Sequence, residues 1–350
     1  MARVALGPLI ILLVLVNLAI VGNRVKTYPV QWDTRCAFEL ARRATPVPDF
    51  LVLGNSRAGR SIDPVYVAEK IAEKTGQKPV IERLSITWPD LPAYQLLARE
   101  YVRNHGFPRE VLLQLSYNRQ AKKQASVGAP IHGARSVMMG GIDDLIEIQA
   151  EADSTLDAIY FENQLRRGTR PTLALWLEKF NADVFAALRY PSWVLKNLQP
   201  ETMCVGERAD RQGPLWLYGD LPNPPPGIDP FDKGSPENWA RKASNYLPIA
   251  PSADFRRFET EQTRSLIEFF KSGGSKVSLV LLPTYTEGVE EETRRQIATE
   301  FPGVPVFDLV STFNQATAAD PAKFFVDTDH VNTAGAIIIS AQLAQQLAGG

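Results

Sequence analysis

The chain has 350 residues, with 38 Lys and Arg against 39 Asp and Glu, so its net charge is −1 and its pI about 6.4. That balance lacks the basic footprint of a nucleic-acid-binding protein, while 45% apolar and 22% charged residues are the proportions of a folded chain rather than a disordered one. Two cysteines (Cys36, Cys204) and three histidines (His105, His132, His330) are too few for a zinc or iron–sulfur centre built from those ligands, so no metal is expected.

At about 150 residues per domain, the length fits two domains or one large α/β domain carrying an insertion. Residues Val4 to Gly22 run without a charge, close to the ~20 that a helix needs to cross a bilayer. No A-x-A site closes the run, which favours an uncleaved transmembrane anchor over a signal peptide. Arg3 on one side faces Arg24 and Lys26 on the other, so flanking charge does not set the orientation. The bulk of the chain is placed on the extracytoplasmic, periplasmic side because large domains translocate despite modest flanking charge. A disulfide between Cys36 and Cys204 would fit that compartment, and two buried thiols fit the sequence equally.

Beyond the anchor, short apolar strands alternate with amphipathic helices, the pattern of a parallel sheet with helices on both faces. Phe50 to Leu53 reads as a strand. Asp63 then caps a helix that has Pro64 at its first position and stops at Gly76. Lys78 to Leu84 is the second strand, Leu91 to Asn104 the second helix with Gly106 beyond it, and Val111 to Leu115 the third strand. The alternation then stops. Residues 120 to 251 read as an insertion with helical patches at Asp143 to Ile148 and Pro171 to Phe180, and a loop at Pro222 to Gly227 where successive prolines remove backbone donors. A helix from Ser252 or Ala253 to Lys271 restores the pattern. It is followed by a strand Val277 to Leu282, a helix near Glu290 to Glu300, a strand Val304 to Asp308, and a last helix from the N-cap Asn332 to about Leu347. The domains are therefore an anchor at 4–22, an α/β domain made of 46–119 and 252–350, and the insertion between its halves.

Two places carry chemistry. Leu53-Gly54-Asn55-Ser56-Arg57 follows the first strand, where open parallel sheets place their sites, and Gly54 suits a sharp turn. Asp327-Thr328-Asp329-His330-Val331-Asn332 precedes the last helix. A serine hydroxyl needs a base to take its proton, and a histidine held by a carboxylate is such a base. Asp327, three residues before His330, can fold back onto the imidazole Nδ1–H and leave Nε2 for the serine. Each motif alone is more often an ordinary polar turn. Arg57 and Arg60 could hold an anionic group or form structural ion pairs. Of Trp88, Trp176, Trp193, Trp216 and Trp239, which could stack on sugars, most are expected to be packed. His105 suits a helix C-terminus, and His132 has no carboxylate near it in sequence.

Taken together, a G-x-S turn after the first strand and a D-x-x-H turn before the last helix resemble the SGNH or GDSL-like hydrolase superfamily, over about 46 to 118 and 252 to 347. The resemblance implies a three-layer α/β/α fold with a flavodoxin-like parallel sheet, no cofactor, and a catalytic triad of Ser56, Asp327 and His330. Its oxyanion hole would be the Ser56 N–H, an amide near Thr87 in the loop Leu84 to Asp90, which contains no glycine, and the Asn118 side chain in Ser116-Tyr117-Asn118. Arg57 and Trp88 would contact substrate. Gly54 to Pro64 is further similar to membrane-anchored envelope members of the superfamily, related to proteins of exopolysaccharide O-acetylation and teichoic-acid D-alanylation. That similarity implies a membrane-tethered serine esterase or O-acyltransferase acting on acylated envelope polysaccharide or a small acyl ester, with an integral membrane acyl-donor protein as partner and no nucleic acid. The alternative is a non-catalytic scaffold or polysaccharide-binding component of an envelope assembly machine on the same fold. The insertion is expected to wall a groove beside Ser56, with some of its tryptophans exposed there.

Overall fold

In a computed structural model of the chain, the described residues are 37–38, 40–42, 46–86, 91–115, 143, 253–285, 291–325 and 330–349. Their elements, in chain order, are β1 (Phe50–Asn55), α1 (Ser56–Ser61), α2 (Pro64–Thr75), β2 (Ile81–Ile86), α3 (Leu91–His105), β3 (Glu110–Gln114), α4 (Ala253–Ser272), β4 (Lys276–Leu281), α5 (Glu291–Glu300), β5 (Val306–Asp308), α6 (Leu309–Thr317), a 3-10 turn (Pro321–Phe324) and α7 (Thr333–Leu347). The strands form one five-stranded sheet in the order β2-β1-β3-β4-β5, and every neighbouring pair is parallel.

Both faces of this sheet are covered, so its strands are apolar on both sides. Leu51, Leu53, Val111, Leu113, Leu279 and Leu281 pack with residues of α3 and α4 and with Phe38 and Ala41. The alternate residues Phe50, Val52, Leu112, Val280 and Leu282 pack with residues of α1, α2, α6 and α7. The period-2 alternation of a strand thus divides each one between two cores. Burying one leucine or isoleucine in either is worth about 1.5–3 kcal/mol.

Expected elements appear with shifted ends. The second strand runs from Ile81 to Ile86 rather than from Lys78, because Pro79 has no N–H to donate and Val80 is held differently: its N–H donates to Asp49 Oδ2 at 2.9 Å. β5 begins at Val306, after Pro305. α2 has the expected cap, with Asp63 Oδ1 accepting from the Val65 and Tyr66 N–H groups, and ends at Gly76 in the left-handed region (φ 77°). Two helices were not expected, α1 and α6. α6 is capped by Asp308, whose Oδ1 accepts from Val310 N and Ser311 N, and it buries Leu309, Val310, Phe313 and Thr317.

The proposed anchor at 4–22, Cys36, Cys204, His132, the tryptophans and residues 120–251, apart from residue 143, lie outside the described residues. Among the described residues no helix is long and apolar enough to cross a membrane.

Candidate active site

In a doubly wound parallel sheet, the crevice lies at the carboxyl ends of the strands where the strand order reverses. Here β2 lies on one side of β1 and β3 on the other, so the reversal falls at β1, and Ser56 is the first residue beyond its end. The register sets what surrounds it. Asn55 is level with Ile86, the last residue of β2. Leu53 is level with Leu113, which brings Gln114 to the height of Gly54.

The expected turn is a helix start instead. β1 continues through Asn55, and Ser56 is the first residue of α1. Asn55 caps that helix, its Oδ1 accepting from the Arg57 N–H at 2.8 Å. Gln114, which belongs to no motif in the sequence, supplies the next acceptor: its Oε1 takes the Asn55 N–H at 2.9 Å and the Ala58 N–H at 3.3 Å. Gly54 serves a different purpose from the one expected. It is absent from the glycines with positive φ, but a Cβ placed on it would lie 2.4 Å from the Ala58 Cβ and 2.6 Å from Gln114 Oε1. Close approach of α1 and Gln114, not backbone freedom, requires glycine there.

His330 reaches the same point from the other half of the chain. Phe325 and Val331 form an antiparallel bridge, fixing both ends of the segment that carries the D-x-x-H run. Asn332 braces it further: its N–H donates to Phe324 O at 2.9 Å, its Nδ2 donates to Lys323 O at 2.6 Å, and its Oδ1 caps α7 by accepting from Gly335 N at 3.1 Å. Gly335 is packed so closely that an added Cβ would lie 2.6 Å from Phe324 O. Beneath the bridge, Phe313 meets Phe324 and Phe325 edge-on at 6.2 and 5.6 Å, and Tyr285 meets Phe325 at 5.6 Å. His330 is therefore held by its neighbours on an aromatic base.

The result is a contact of 2.8 Å between His330 Nε2 and Ser56 Oγ, across 274 residues of sequence. Both residues are half-buried, so the pair is formed yet accessible. With the imidazole proton on Nδ1, the serine hydroxyl donates to Nε2, the arrangement a base-activated nucleophile needs.

α7 is also clamped to the serine helix. The buried Ser340 hydroxyl donates to Ser61 O at 3.2 Å and accepts from Asp63 N at 2.9 Å. At the same junction Arg83 Nη1 donates to Ile62 O at 2.5 Å. Burial lowers the Arg83 guanidinium to about 10, with Asp63 acting against that shift, so it stays charged at neutral pH. Burial raises the Asp63 carboxyl, opposed by the amides of Tyr66 and Val65 that it accepts from. These bonds fix the far end of α1 while Asn55 and Gln114 fix its start.

Of the expected site residues, the structure brings Ser56 and His330 together and puts Arg57, half-buried, on the next residue of α1. Asp327, Thr87, Trp88 and Asn118 lie outside the described residues. His105 is buried at the end of α3, stacked on Tyr101 at 4.4 Å, on a helix that leads to the opposite edge of the sheet. Among the described residues no group of His, Cys, Asp and Glu is arranged to hold a metal.

No family model matches the chain, and no curated protein matches it in sequence.

Proposed function

We propose that the chain is a membrane-anchored serine acyl-transfer enzyme of the SGNH type, an esterase or O-acyltransferase acting on acylated cell-envelope polysaccharide. The Ser56–His330 contact of 2.8 Å at the reversal point of the sheet carries this reading. The strand order β2-β1-β3-β4-β5, which is the flavodoxin-like order, supports it.

In this mechanism Ser56 Oγ attacks an ester carbonyl while His330 Nε2 takes its proton. Asp327 accepts from Nδ1–H and stabilises the imidazolium. The negative charge that develops on the carbonyl oxygen is met by the Ser56 N–H, an amide near Thr87 and the Asn118 side chain, aimed where charge appears in the transition state. Collapse of the tetrahedral intermediate breaks the ester C–O bond, and His330 returns the proton to the departing alkoxide. The acyl-Ser56 then passes its acyl group to water or to a sugar hydroxyl: His330 takes the acceptor's proton, the acyl–Oγ bond breaks, and His330 returns that proton to Ser56 Oγ. No cofactor enters this sequence. Arg57 and Trp88 are assigned to substrate.

Topology supports a role for the insertion. β3 ends at Gln114 on the site edge of the sheet. α4, which returns the chain to the start of the parallel strand β4, begins over that same edge. The end of β3 and the start of α4 on that edge support an insertion that would wall a groove for a polymer there, with its tryptophans along it. A tether at 4–22 would raise the local concentration of substrate at the membrane, where an integral membrane acyl donor would be the partner.

Mass spectrometry of envelope polysaccharide tests the substrate class. Cells carrying the full chain are expected to differ in O-acyl ester content from cells carrying Ser56→Ala at equal expression. Identical ester content in the two would overturn this assignment.

A further inference from the structure

The amides around the nucleophile are unequally committed. Around the start of α1, the Asn55 and Ala58 N–H groups both donate to Gln114 Oε1, and the Arg57 N–H donates to Asn55 Oδ1. Among the described residues the Ser56 N–H has no acceptor. The first amides of a helix have no partner within the helix, and side chains normally satisfy them. Here two side-chain carbonyl oxygens take every amide from residue 55 to 58 except that of the nucleophile.

Gln114 is itself fixed. It is the last residue of β3, 8% exposed, and its strand pairs with both β1 and β4. A buried polar residue directly after the apolar run of Val111, Leu112 and Leu113 needs a reason, and its contacts supply one. Its Oε1 also stands 2.6 Å from where a Gly54 Cβ would be, so the strand before Ser56 and the helix after it close on one carboxamide oxygen.

We propose that Gln114 is a positioning residue for acyl transfer: by engaging the amides on both sides of Ser56 it sets the pitch of the nucleophile turn and leaves the Ser56 N–H as the one amide there open to an oxyanion. This rests on the serine acyl-transfer reading and adds to it the residue that aims the donor. Gln114 touches neither substrate nor the reacting atoms. Its effect passes through the backbone of residues 55 to 58.

The test uses the full chain in detergent, with p-nitrophenyl acetate as substrate and residue-resolved hydrogen exchange as a second readout. Gln114→Met keeps the length of the side chain and removes the acceptor. Gln114→Glu keeps an acceptor oxygen in the same place. In the wild type, the Asn55 and Ala58 amides are expected to exchange slowly and the Ser56 amide quickly. Gln114→Met is expected to lose protection at Asn55 and Ala58 and to lower kcat by about 10- to 100-fold, the scale set by misplacing a catalytic group or an oxyanion donor, with KM unchanged. Gln114→Glu is expected to regain the protection and most of the kcat. All assays are made well below each variant's own melting temperature, so that reduced stability does not enter the rate.

A Gln114→Met variant that turns over as fast as wild type, or whose loss falls on KM, overturns the inference and leaves the acyl-transfer reading standing. Loss of kcat without loss of Asn55 and Ala58 protection overturns it as well. A wild type that never turns over the ester removes the reading, and the inference with it.

Discussion

Ser56→Ala is expected to reduce turnover of a small acyl ester by at least about 10⁴-fold, the scale on which loss of one triad member acts, while shifting the melting temperature by only a degree or two. Both halves follow from the structure. The hydroxyl is half-buried, and its partner is His330 Nε2 at 2.8 Å, so removing it leaves no buried group unpaired. The start of α1 is held by Asn55 and Gln114, neither of which depends on that hydroxyl. Steady-state kinetics and a thermal melt on the same preparation check this. A Ser56→Ala variant that keeps its turnover rules out the nucleophile, and one that unfolds would make Ser56 a structural residue.

The second large effect is expected at Gly54. Gly54→Ala would place its Cβ 2.4 Å from Ala58 Cβ and 2.6 Å from Gln114 Oε1. The first neighbour is fixed to the helix backbone, so it cannot swing aside, and the second is a hydrogen-bonded atom on a central strand. Relief requires α1 to move outward, costing about 1–3 kcal/mol as other overpacked interiors do. It would also carry Ser56 away from His330, and a displacement of about 1 Å is enough for a 10²-fold loss. Gly54→Ala is therefore expected to melt several degrees lower and to lose 10²- to 10³-fold in kcat, by about the same arithmetic. Wild-type melting together with wild-type kcat would contradict the packing described at this turn.

The sequence carried the parts of this site that depend on local chemistry. A strand ending in Gly-Asn-Ser and an Asp-rich turn with one histidine stood out because each residue type has few uses, and parallel β/α alternation places both motifs on one sheet edge. What it did not carry depends on contacts between strands. Gln114 in Glu-Val-Leu-Leu-Gln is unremarkable until the register aligns it with Gly54. Its only sequence signal is an amide at the end of an apolar run on the strand beside the nucleophile strand. α1 was hidden because six residues with glycine and two arginines show no apolar period, and its stability comes from Asn55, Gln114 and the clamp at Ser340. α6 was hidden by its abrupt start at Asp308, which both ends β5 and caps the helix. Gly54 reads from sequence as a turn glycine because glycine most often serves that purpose. Only the positions of Ala58 and Gln114 reveal that it makes room.

Activation of Ser56 by His330 is read out by covalent labelling of the full chain with a fluorophosphonate probe, the modified residue being located by mass spectrometry. One labelled residue is expected, Ser56, with loss of labelling in both Ser56→Ala and His330→Ala. Failure of the folded wild type to label, or labelling that survives His330→Ala, would contradict it and favour the non-catalytic scaffold.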